Sequence, residues 1–237
     1  MRFLKVALCM LFIIPLAHAG VSIDGTRIIF PSNSKSVNVQ LRNIYDSPAL
    51  IQAWIDTGDP KKTPKAEDVP FVLNPPLVRI EPNKGQIIRI IPLDTSKLAK
   101  DRESIYWFNI LDIPPEDPKL TDKNHLSFTV RTRVKLFYRP HQLAMKPTIA
   151  QQSIQFKLDQ TSQNVMISNP TPYNITVLQV ESGKNQAFSS GEDAIMLEPF
   201  TSNILLKNFK PDLTTKKVFY EIINDLGAVQ KFEAVMQ

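Results

Sequence analysis

Residues 125–140 read HLSFTVRTRVKLFYRP. Leu126, Phe128, Val130, Thr132 and Val134 alternate with Ser127, Thr129, Arg131, Arg133 and Lys135. That period of two is the pattern of a β-strand, whose successive side chains point to opposite faces. An uninterrupted strand from Leu126 to Tyr138 would extend roughly 44 Å at about 3.4 Å per residue, against a usual length of about 5–6 residues. One face also turns to arginine and lysine where a core strand stays apolar. A strand longer than its own domain covers offers unpaired backbone groups and a row of apolar side chains, a hazard that proteins blunt with charge, proline or cover. The strand is read as a binding element. The alternative is an ordinary sandwich strand with Leu126, Phe128 and Val130 facing its own core.

The rest of the chain is β-rich as well. RIIF (27–30), SVNVQLRN (36–43), ALIQAWID (49–56), LVRI (77–80), QIIRII (86–91) and SIYWFNIL (104–111) read as strands, separated by turn-forming segments such as PSNS, EPNKG and DIPPEDPKLTDKN. About seven short strands in roughly 120 residues without a strong helical stretch is the cue for an immunoglobulin-like sandwich. The β pattern breaks at RPHQLAMKPTIA, bracketed by Pro140 and Pro147, and resumes with SIQFKL, NVMISN, NITVLQV, AIMLEP, SNILLK, KVFYEII and VQKFEAV. The expected class is all-β: two β-sandwich domains, residues 20–140 and 150–237, joined by a linker at 141–149. A single large sandwich is the alternative, and the proline-bracketed break argues against it. Nineteen prolines and seven glycines suit many-cornered sandwiches better than long helices.

Residues 1–19 stand apart. Arg2 and Lys5 precede the apolar run VALCMLFIIPLA, which ends in Ala17-His18-Ala19, a small-x-small cleavage site. This is the pattern of a secretory signal peptide, and the run is too short to span a membrane comfortably. The mature chain is expected to start near Gly20, outside the cytoplasm and without membrane insertion. Cys9 is the only cysteine and leaves with the leader, so no disulfide framework or thiolate chemistry remains. The net charge falls from +5 to +3, because Arg2 and Lys5 leave and no acidic residue does. Mild basicity favours anionic partners weakly and does not imply nucleic acid.

Catalytic signals are missing. His125 and His141 lack metal-ligand or catalytic spacing, and no G-x-S-x-G, P-loop or G-x-G-x-x-G string occurs. Glu116 and Asp117 sit in a proline-rich loop and read as a solvated turn. Asn174-Ile175-Thr176 matches a glycosylation sequon at a strand start and reads as chance. Neither metal nor cofactor is expected, and basic residues are not interleaved with aromatics in the manner of RNA-binding modules.

The string VKLFYRP (134–140) resembles the periplasmic chaperones of the chaperone–usher pilus pathway. The resemblance extends through GVSIDGTRIIF (20–30), LNPPLVRIEPNKGQIIRI (73–90), DTSKLAKDRESIYWFNILDIPP (94–115), ISNPTPYNITV (167–177) and IINDLGA (222–228), in order, over nearly the whole mature chain. It implies two immunoglobulin-like domains at an angle with a cleft between them, no enzymatic activity and a periplasmic location. It also implies partners: pilin subunits, which lack their last strand and borrow one from the chaperone, and the outer-membrane usher that receives the complex. Three residue sets carry over. Arg27 and Lys135 match the pair that binds the subunit's C-terminal carboxylate, Leu126, Phe128 and Val130 match the donor-strand residues, and Glu103, Arg139 and Asp225 match an interdomain salt-bridge network expected to fix orientation more than stability. The segment between Leu111 and His125 is short, as in the branch serving rod-like pili, and a cysteine pair found in some second domains is absent. An exposed donor strand further predicts self-association of the free chain. A secreted immunoglobulin-like adhesion or ligand-binding module, using its loops, is the competing reading. A periplasmic hydrolase lacks a catalytic constellation.

Overall fold

The computed structural model describes residues 20–62, 64–113, 128–159, 164–183, 187–189, 194–206, 209 and 211–237. Residues 1–19, Glu116, Asp117, His125 and Leu126 lie outside the described residues. In the first part of the chain the strands are β1 (Val21–Ile23), β2 (Arg27–Pro31), β3 (Val37–Asn43), β4 (Ala49–Asp56), β5 (Phe71–Asn74), β6 (Leu77–Ile80), β7 (Gly85–Pro92), β8 (Ser104–Ile113) and β9 (Val130–Arg139). They form two sheets, ordered β1-β3-β7-β5 and β2-β9-β8-β4-β6. Alternation decides which face goes inward: Ile51, Ile88, Ile90, Phe108, Ile110 and Leu136 are all fully buried between the sheets. Phe30, Phe71, Tyr106 and Tyr138 close one end, with Phe71 meeting Tyr106 edge-on at 5.2 Å between ring centroids.

A second pair of sheets follows. One holds β10 (Gln155–Leu158), β11 (Val165–Ser168) and β15 (Ile204–Leu206). The other holds β12 (Ile175–Glu181), β13 (Ala187–Ser189), β16 (Lys217–Ile223) and β17 (Val229–Val235) in the order β13-β12-β16-β17, with β14 (Ile195–Leu197) also paired to β12. Phe156, Ile167, Val180, Val218 and Tyr220 fill a separate core. The chain therefore folds as two immunoglobulin-like sandwiches. Between them lies one helical turn, α1 (Pro147–Ala150), which begins on a proline whose fixed φ and missing N–H suit a first helical position. The linker stretch was expected to be irregular, so this turn is an addition.

Both sandwiches repeat one corner. In the first, the buried Asn43 amide donates to Ser47 O, Ile80 O and Glu81 O while its oxygen accepts from Tyr45 N. In the second, Asn169 donates to Tyr173 O, Leu197 O and Glu198 O and accepts from Thr171 N. An amide side chain has donors and an acceptor, so each asparagine satisfies carbonyls of two loops at once.

The long strand is shorter than its alternation predicts. It begins at Val130; Phe128 and Thr129 precede it outside any strand. Its partner β8 pairs with it from Ser104↔Tyr138 to Asp112↔Val130, and β8 ends one residue later. A strand needs a neighbour to hold its backbone groups, and among the described residues none pairs with the chain before Val130.

The asparagine corners predict a specific weakness. Asn43→Ala leaves buried carbonyls without donors, at about 1–3 kcal/mol for each group orphaned. The urea midpoint should fall with little change in slope, whereas Arg42→Ala on the exposed face should leave it nearly in place. Equal midpoints for the two variants would contradict the assignment.

Candidate functional site

β2 joins β9 in parallel, and the register sets Arg27 opposite Lys135 and Pro31 opposite Arg139. Two cations are thereby held side by side in partly buried ground. Arg27 Nη1 donates to Ile223 O at 2.8 Å, and Lys135 Nζ donates to Thr176 Oγ1 at 3.1 Å; both acceptors belong to the second sandwich. The buried Arg27 Nε has no hydrogen-bond partner, and neither side chain forms an ion pair among the described residues. Burial, and then the Arg27 charge, push the Lys135 ammonium down from 10.5 to about 8. Burial also lowers the Arg27 pKa, opposed by the more distant Asp225 and Glu103.

The other cations of this row share one carboxylate. Arg133 Nη2 lies 2.6 Å from Asp56 Oδ1, Arg131 Nη2 lies 3.2 Å from Asp56 Oδ2, and Asn109 Nδ2 donates to the same carboxylate at 2.9 Å. The guanidinium groups cover indole rings, Arg131 over Trp54 at 4.9 Å and Arg133 over Trp107 at 4.1 Å. Burial alone would raise the Asp56 pKa, but the Arg133, Gly58 N–H and Asn109 hydrogen bonds hold it below the usual carboxylate range. The basic face of the strand is thus a partly buried, ion-paired layer up to Arg133, whose Nε, like that of Arg27, has no hydrogen-bond partner. Sequence reasoning missed this layer, because Trp54, Asp56, Trp107 and Asn109 lie on other strands and only the register aligns them.

On the opposite face Val134, Leu136 and Tyr138 enter the first core, and the same row continues through Thr132 to Val130 and Phe128. Val130 is 51% exposed and Phe128 72%. β2 covers β9 only from Lys135 to Arg139, so Val130 to Val134 are paired with β8 on one side alone among the described residues. An open strand edge, with apolar side chains beside it, ends at the paired cations. The third predicted donor residue, Leu126, lies outside the described residues.

Arg139 joins the two sandwiches. Its Nε donates to Glu103 Oε1 at 2.7 Å, while Nη1 and Nη2 donate to the two Asp225 oxygens at 2.6 and 2.9 Å. The Glu103 side chain is 1% exposed, and its other oxygen accepts from Asn174 N and Nδ2. Burial raises the Glu103 pKa, opposed by Arg139 and Asn174; burial likewise works against the Arg139 charge, and the two carboxylates outweigh it. The network was expected to behave as a weak surface bridge. Instead its Arg139–Glu103 half is interior, where taking away one partner typically costs about 3–5 kcal/mol, while the Asp225 side chain is 36% exposed. Asn174 and Thr176, which match a sequon, are both buried and both serve contacts between the sandwiches.

The chain matches two family models in succession: "Pili and flagellar-assembly chaperone, PapD N-terminal domain" over residues 20–144, and "Pili assembly chaperone PapD, C-terminal domain" over residues 149–234. It is 38% identical over 224 residues to the chaperone protein HifB of Haemophilus influenzae, covering 93% of this chain and 90% of that protein. To the probable fimbrial chaperone YadV of Escherichia coli it is 36% identical over 217 residues, with coverage of 88% and 87%. The solved CupB2 chaperone of Pseudomonas aeruginosa is similar with a TM-score of 0.75 and 32% identity, over 91% of this chain and 100% of that one. The chain belongs to the PapD-like family of pilus assembly chaperones.

The lowered Lys135 pKa gives a pH prediction. Between about pH 8 and 10.5 the unfolded chain holds a proton that the folded chain has released, so this group's contribution to stability grows as pH rises through that window. An NMR titration of the Lys135 side chain should show a midpoint near 8, moving upward in Arg27→Ala. An ordinary lysine midpoint, unmoved by the substitution, would contradict the site as described.

Proposed function

We propose that this chaperone works in the periplasm, where it binds pilin subunits, completes their fold with its own β9 edge, and passes them to an outer-membrane usher. The observation that carries this reading is the adjacency of an open edge, Val130 to Val134, to two cations that form no ion pair among the described residues. A subunit's C-terminal carboxylate would accept charge-assisted hydrogen bonds from Arg27 and Lys135, each worth about 1.5–3 kcal/mol. Val130 and Phe128, with Leu126 before them, would enter the subunit's groove at about 1.5–3 kcal/mol per side chain before ordering and docking costs. Main-chain bonding along the edge accommodates several related subunits, because it reads backbone more than side chains. The carboxylate fixes register, since a slip of one residue would turn the donor row away.

The remaining assignments follow from the same reading. The division falls into a first domain at 20–140, a linker at 141–149 and a second domain at 150–237, after removal of 1–19. Glu103, Arg139 and Asp225 hold the angle between the domains. The role is binding rather than catalysis. In the absence of a subunit, the open edge allows two copies of the chain to pair.

Co-purification tests this directly. Tagged wild-type chain, expressed with fimbrial subunits in a periplasm, should carry a stoichiometric subunit that Lys135→Ala and Arg27→Ala both lose. A subunit retained by both variants would remove the carboxylate anchor, and no subunit with the wild type would remove the chaperone reading.

A further inference from the structure

Asp112, on β8 opposite Val130, is a buried carboxylate that forms no ion pair among the described residues. The residue is 4% exposed. Its Oδ2 accepts from Val21 N at 3.2 Å, whereas its Oδ1 is buried with no hydrogen-bond partner. Burial raises the Asp112 pKa, opposed by the Val21 N–H and the Tyr45 hydroxyl. A carboxylate this far from water ordinarily has a cation or a full set of donors against it. Gly20 lies against the same group. A Cβ built on Gly20 would stand 3.0 Å from Asp112 Oδ2 and 3.1 Å from the Tyr45 hydroxyl oxygen, so its α-carbon is set beside both. Gly20 O accepts from Ile44 N at 3.4 Å, and the next three residues pair with β3, which anchors the start of β1 at this spot.

On the reading that residues 1–19 are removed, we propose that the α-ammonium of Gly20 is the partner of Asp112, an ion pair open only to the processed chain. While the leader is attached, the Gly20 nitrogen is an uncharged amide. Hydrolysis of the Ala19–Gly20 bond by one water, under a leader-cleaving peptidase, leaves a carboxylate on Ala19 and an ammonium with three donors on Gly20. That nitrogen is one bond from an α-carbon already beside Oδ2, and with no residue before it, rotation about the Gly20 Cα–C bond can turn it towards Oδ1. Glycine keeps the approach clear, because a side chain at this position would crowd Asp112 and Tyr45. Tyr45 stays a donor there, since burial and the Asp112 charge both hold its hydroxyl protonated. The pair spans the two sheets of the first sandwich, β1 in one and β8 in the other, at the end where the open β9 edge begins.

Asp112 could instead be relieved by holding a proton, so the test must follow the ammonium itself. The full-length gene is expressed for export with and without Ser-Gly inserted after Ala19, each in the wild type and in Asp112→Asn, and intact mass gives the first residue of every purified chain. With carbon-13 glycine, the Gly20 α-amine of the wild type should titrate about one unit or more above the ordinary value of about 7.7–8.0 and return to it in Asp112→Asn. The insertion moves the ammonium away, so at pH 7 it should lower the urea midpoint of the wild type and leave that of Asp112→Asn in place. A group whose pKa is raised on folding stabilises only while protonated, so the effect of the insertion should disappear as pH rises through the Gly20 midpoint. An ordinary Gly20 midpoint, or an insertion that costs the same with and without the carboxylate, would overturn the pair and leave leader removal standing. A purified wild-type chain that starts elsewhere than Gly20 would overturn the leader reading and the pair with it.

Discussion

The parallel pairing of β2 with β9 brings two like charges together and holds them there. Arg27 and Lys135 repel each other and are partly desolvated, and the attraction of Asp225 and Glu103 offsets only part of that cost for Arg27. The core imposes their adjacency. Phe30 on β2, with Leu136 and Tyr138 on β9, must face the interior, and in a parallel pair that requirement fixes the residues alongside them. The stability of the first sandwich thus offsets a site that is unfavourable when empty. An anion placed between the cations would relieve that penalty, which is a physical reason for the site to favour carboxylates.

The contrast along β9 sharpens the point. Arg131 and Arg133 share Asp56 and lie over Trp54 and Trp107, so their charges are partly compensated within the first sandwich. Lys135, next in the row, also lies over Trp107 but has no ion pair among the described residues, and it donates to Thr176 of the second sandwich. The site is therefore assembled by both sandwiches, and its geometry depends on how they meet. Arg139 bridges the two sandwiches through two carboxylates, one of them deeply buried, at the residue where β9 ends. A buried pair of this kind is by itself weak evidence for stability.

Much of this was legible in the sequence because the strands alternate. ALIQAWID, LVRI, KVFYEII and VQKFEAV coincide with β4, β6, β16 and β17. The strands β1, β5 and β13 went unread, β5 because it lies between Pro70 and Pro75, which mark turns. The far end of the long strand was misread for a different reason: alternation records which face a side chain would occupy, not whether a neighbour exists to pair with it. Burial of Glu103 was equally hidden, since a carboxylate by itself argues for the surface, and only the convergence of Arg139 and Asn174 makes the interior tolerable. Thr176 and the Ile223 carbonyl carry no motif that would have marked them as partners of Lys135 and Arg27.

The central claim is that Arg27 and Lys135 bind one terminal carboxylate. The most direct measurement compares the affinity of the chain for a co-purifying pilin subunit bearing its natural C-terminus and for the same subunit carrying a C-terminal amide. Two charge-assisted hydrogen bonds lost at once should weaken binding by about 100-fold or more, with the difference shrinking as pH rises through about 8. Equal affinity for acid and amide across that range would contradict the account.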